Sequence, residues 1–122
     1  MAEYHYSQED RRNQLELLQS ELKRFLPLIQ ASPRFSRSAW KFEEALAETQ
    51  RLLETGFTQA ELSALGRSVP DLLDRHPHFE PPLVRATNGR WIEAAWYVAT
   101  RGALDPLLAA ARELIVLGYW RP

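Results

Sequence analysis

The chain has 122 residues, 45% apolar and 25% charged with only 5 Gly, which is the make-up of one ordinary globular domain (1–122) and not of a disordered or fibrous segment. A net charge of −1 supplies no global field to draw nucleic acid or a membrane surface. The absence of cysteine excludes disulfides, a thiolate nucleophile and Cys-type zinc sites.

The opening "MAEYHYSQED" has no basic region followed by an apolar stretch, so no signal peptide is expected, and residues 1–6 read as flexible. Ser7 and Asp10 then form a capping box, in which each side chain serves the other residue's amide. Leu15, Leu18, Leu22, Phe25 and Ile29 follow at alternating spacings of 3 and 4, one face of a long first helix. That face is narrow enough to resemble a two-helix seam, which leaves self-association as a homodimer open. Pro27 should kink this helix, and Ser32-Pro33 should end it. A second long helix is predicted over 38–55, with Ala39, Phe42, Leu46, Thr49 and Leu53 inward and Gly56 as its left-handed terminator.

"FTQAEL" carries two start signals for a short third helix. Thr58 and Glu61 make a capping box, and Phe57 with Leu62 a hydrophobic staple. This helix is predicted to stop near Gly66. Ser68 and Asp71 then cap a short fourth helix with Pro70 in its first turn. The stretch 56–75 resembles the opening of a repressor-type helix-turn-helix, with Gly66 in the turn. It departs from that pattern at Arg67, where a Gly is required, and it puts Asp71 and Asp74 where phosphate would be met. The longest loop is predicted over 76–89. Asn88-Gly89 fits a hairpin joining 83–86 to 90–93, but Trp91, Ala95 and Val98 stand at helical spacing. That spacing favours Asn88 as the N-cap of a fifth helix ending at Gly102. Asp105-Pro106 opens a sixth that closes at Gly118. The fold class is therefore all-α, a single-domain bundle of about five to six helices. No stretch of 18 apolar residues occurs, and a cytoplasmic location is expected.

Catalytic signatures such as a phosphate loop or a nucleophile elbow are wanting, so no cofactor is assigned. The first metal candidate is the run Asp74, His76, His78 and Glu80. Polyproline periodicity, three and not two, splits it and leaves His76, His78 and Glu80 as a partial set. The solvated end of a helix explains the same residues without metal. The stronger candidate is "RFSRSAWKF". Arg34, Phe35, Arg37, Trp40 and Lys41 interleave cations with ring faces, as protein hot spots and single-strand sites both do.

With Phe42 inward, Trp40 should face outward. Tyr119 and Trp120 form a second candidate surface. Glu44 and Glu48 share a helical face, with Arg51 at hand to neutralise it. Glu93 and Arg101 can be placed in a pocket beside the C-terminal aromatics, though no pattern in the sequence requires it. Binding to a protein partner, in a regulatory, adaptor or neutraliser role, is the favoured function. Nucleic-acid binding through Lys23, Arg24, Arg34, Arg37 and Lys41 is disfavoured by net charge. A metal-dependent enzyme built on His76 and His78 is the third reading.

Overall fold

The computed structural model describes residues 6–72 and 81–115, and these are mostly helical. In chain order they form α1 (Gln8–Gln30), a 3₁₀ turn (Ser36–Ser38), α2 (Ala39–Thr55), α3 (Gln59–Ser68), β1 (Leu83–Arg85), β2 (Trp91–Glu93) and α4 (Ala95–Ile115). No helix among the described residues is long and apolar enough to cross a membrane.

Both predicted capping boxes are present. Ser7 Oγ accepts from the Asp10 amide at 3.0 Å while the Asp10 carboxylate accepts from Ser7 N–H at 3.0 Å. Thr58 and Glu61 exchange the corresponding bonds at the start of α3. Gly56 ends α2 with φ +92°, a conformation that would strain any residue carrying a Cβ. Its amide returns to Leu52 O at 2.9 Å.

The α1 stripe is completely inside: Leu15, Leu18, Leu22, Phe25 and Ile29 are all fully buried. α1 packs against α2 and α4, and α3 closes against α4. Each such side chain contributes roughly 1.5–3 kcal/mol by leaving water, so this face is the spine of the core. It is spent within the chain, and a homodimer built on that seam has no surface left to use. On α2 the inward stripe is Ala39, Phe42, Ala45, Thr49 and Leu52. Leu46 and Leu53 of the predicted stripe are only partly buried. The rings of Phe25 and Phe42 meet at 4.7 Å between centroids. Buried Thr49 and Thr100 satisfy their hydroxyls on the carbonyls four residues back, Ala45 and Trp96.

Among the described residues four helices stand where five to six are predicted, and packing explains most of the difference. Gly66 does not stop α3. It lies inside the helix, where a Cβ would sit 2.5 Å from Ala111 O and 2.7 Å from Ile115 Cγ1, so its role is to let α3 approach α4. α3 runs on to Ser68, and the helix predicted to follow has no helical residue from 69 to 72. Its remainder lies outside the described residues.

The predicted fifth and sixth helices are one, because α4 passes through both Gly102 and Pro106. An internal proline costs a hydrogen bond and crowds the carbonyl four residues earlier. Here that residue is exposed Gly102, whose carbonyl can be hydrated. Leu104, Leu107 and Leu108 hold the helix to the core on the other side.

A second correction concerns residues 83–93, where a hairpin replaces the predicted loop and helix start. β1 and β2 pair antiparallel with Leu83 opposite Glu93, Val84 opposite Ile92 and Arg85 opposite Trp91. Gly89 adopts φ +85° in the turn, and the Asn88 side chain accepts from Arg90 N–H at 3.0 Å. Trp91 therefore stands on a strand and not on a helix. Residues 1–5 of the predicted flexible end are not described, but Tyr6 is held: its hydroxyl donates to the Glu113 carboxylate.

Candidate protein-binding surface

The 3₁₀ turn delivers the chain into α2 with Ala39 and Phe42 facing the core, which turns Trp40, Lys41, Glu44 and Glu48 outward. Trp40 is 53% exposed, and the Lys41 ammonium sits 5.7 Å from its ring centroid. Such a contact covers part of the ring while keeping it at the surface.

These residues border a groove of about 720 Å³ between α2 and α3. Its floor is Ala45 and Leu65, its far wall Ala64, Arg67, Ser68 and Pro70. The small side chains at 45 and 64 are what leave the space open. At one border Arg51 bridges the two helices, reaching the Glu48 carboxylate and Glu61 at 3.0 Å. Glu61 is held below the ordinary carboxylate value of 4.5, first by the Arg51 hydrogen bond and then by Thr58. Arg51 is correspondingly raised by Glu48 and Glu61. All three charges remain accessible to solvent, so the bridge sets the position of the border more than it adds stability.

The candidate residues of the 34–41 stretch separate in space. Arg34 and Arg37 are exposed with Trp40 and Lys41. Phe35 is turned further inward than these four. It packs partly buried against the core, edge-on to Trp96 with centroids 6.1 Å apart, and its amide donates to Ser32 Oγ at 3.0 Å. The tract between 22 and 42 lacks acids in sequence but not in space. Arg24 pairs with Glu21 at 3.0 Å, and Lys41 borders the groove together with Glu44 and Glu48. This interspersion weakens a phosphate-binding reading. Glu93 and Arg101 pair at 2.7 Å and fasten the base of the hairpin to α4. His76, His78 and Glu80, with Asp74, lie outside the described residues, as do Tyr119 and Trp120. No metal-competent cluster occurs among the described residues.

The sequence pattern gave no sign of one feature, and a second it offered only as the less favoured alternative to a helix. The first is Arg11, a buried guanidinium that donates to Gln14 Oε1 at 2.8 Å, Gln59 Oε1 at 2.6 Å and the Glu113 carbonyl at 3.0 Å. It lies 4.4 Å over the Tyr6 ring. Burial lowers its proton affinity, and the neighbouring Tyr6 and Glu113 partly restore it. It is a structural clamp between three helices. The second is the hairpin, whose Leu83, Val84, Trp91 and Ile92 are all at least 45% exposed. The turn signal Asn88-Gly89 flanked by apolar residues was the available clue. No family model, curated protein or solved structure matches the chain.

Proposed function

We propose that this chain, a single-domain helical bundle acting in the cytoplasm, works by binding a protein partner in a regulatory, adaptor or neutraliser role. The observation that carries the reading is Trp40, half-exposed at the mouth of the α2–α3 groove with Lys41 against its ring. A tryptophan on a helix whose inward face is already filled contributes nothing further to the core. At an interface it is the residue type most often found to dominate affinity. The groove offers an apolar floor with charged borders, the arrangement of an interface centre and rim. Arg37 extends the same exposed corner toward the 3₁₀ turn.

The test is the Arg37→Ala/Trp40→Ala double variant, used as bait beside the wild type in lysate of the source organism. Both side chains are exposed, so helix content and unfolding temperature should not change. The expected outcome is loss of the proteins the wild type retains. Equal capture of every one of them would remove this surface from consideration.

A further inference from the structure

The hairpin 83–93 leaves the helical body with its apolar side chains uncovered. Leu83 is 50% exposed, Val84 45%, Ile92 49% and Trp91 64%. Among the described residues the helices pack on one another and not on it. Its tie to the body is the Glu93–Arg101 ion pair, together with the backbone running into α4. A two-stranded hairpin is marginal in water without a third element against it.

Alternation along the strands puts two large apolar side chains and one arginine on each face. Val84 and Ile92 share one face with Arg90, while Leu83 and Trp91 share the other with Arg85 and with Glu93. Arg85 reaches back along the turn to lie beside Gly89. The acid of the hairpin, Glu93, is engaged by Arg101, so what the hairpin presents is apolar surface and two positive charges.

Three occupants can be weighed against this chemistry. A second copy would bring like against like, Arg85 and Arg90 facing their equivalents. The apolar area offered, roughly 300–400 Å², is also below the roughly 500 Å² of apolar surface within the ~800 Å² per partner of a stable homodimer. Nucleic acid would use the two arginines and Trp91 but has no counterpart for Leu83, Val84 and Ile92, and the chain's net charge is −1. A concave protein site meets all the features together. Walls around a projecting ribbon supply the area that a flat contact lacks, and carboxylates at the rim answer the arginines.

We infer that the 83–93 hairpin inserts into an apolar cleft with an acidic rim on a protein partner, with Trp91 seated in the cleft and Arg85 and Arg90 on the rim carboxylates. This inference goes beyond the α2–α3 groove and does not depend on it.

The experiment places the photo-crosslinking residue benzoylphenylalanine at position 91 of the full chain and irradiates it in the source organism's lysate. The adduct is mapped by mass spectrometry, and the protein so identified is purified and titrated. The inference expects the crosslink to fall in a concave apolar region flanked by Asp or Glu. Trp91→Ala should weaken binding about 30-fold and Arg85→Glu/Arg90→Glu about tenfold. Lysine in place of the partner's rim acid should restore binding to the reversed variant. All three hairpin side chains are exposed, and unchanged helical circular dichroism checks that the variants fold. An adduct with a second copy, an adduct removed by nuclease, no adduct, or an affinity indifferent to both variants would each overturn the inference. The Trp40 variant is scored on its own captured proteins, so either surface can fail while the other stands.

Discussion

At the scale of single residues, the unusual chemistry lies in the Tyr6–Arg11–Glu113 group. The Tyr6 hydroxyl donates to the Glu113 carboxylate, and that bond, then burial, then the Glu113 charge raise its ionisation above the ordinary 10.0, with Arg11 opposing. A group whose folded value is raised stabilises the fold fully below its unfolded value. That stability is lost as pH climbs through the folded value. Tyr6→Phe should therefore cost about 1 kcal/mol at pH 7 in urea unfolding. Its deficit against the wild type should close above pH 10. A deficit that persists unchanged into alkali would assign the loss to packing alone. Arg11 itself could not be read from its neighbours. It stands in the first turn of a charged helix start, which looks solvated. Its burial comes from Gln59, 48 positions away, and Glu113, 102 positions away.

Among the elements, the two glycines read as helix stops turn out to be opposite cases. At Gly66 a Cβ collides with the backbone of α4, whereas at Gly102 nothing lies within 4 Å. Gly66→Ala should thus lose about 2 kcal/mol through overpacking, while Gly102→Ala should gain about 0.5–1 kcal/mol of helix stability. Denaturation midpoints of opposite sign would establish that one glycine serves a crossing and the other serves none. Two losses would show that α4 needs a flexible point at 102, ahead of Pro106.

Local punctuation was legible wherever it agreed with packing, as at both capping boxes and Gly56. It misled where a buried face carried the helix past the signal, as at Gly66 and Gly102. The hairpin failed for another reason. Trp91, Ala95 and Val98 keep helical spacing but not a common buried face, since Trp91 is 64% and Val98 44% exposed. Spacing records periodicity, and only the fold records which side is covered.

For the molecule as a whole, α1 was the most legible part because its neighbours on both sides demand the same five residues. The candidate surface was legible in part. Trp40 faces out because Phe42 faces in, but Phe35 was claimed by Trp96, a contact 61 positions distant that no local pattern announces.

The Arg11 clamp has one more consequence, and it concerns time. Its guanidinium gathers the starts of α1 and α3 and the far end of α4, contacts that span 48 and 102 positions of the chain and so close long loops. Interactions of that kind are expected to form after the rate-limiting barrier, so their loss should fall on unfolding. Arg11→Met should speed unfolding in stopped-flow measurements by about tenfold or more, with the refolding rate nearly unchanged. Equal slowing of refolding would instead place the clamp in the folding nucleus. On this reading Arg11 is a latch: it sets how long the native state lasts, not how quickly it is found.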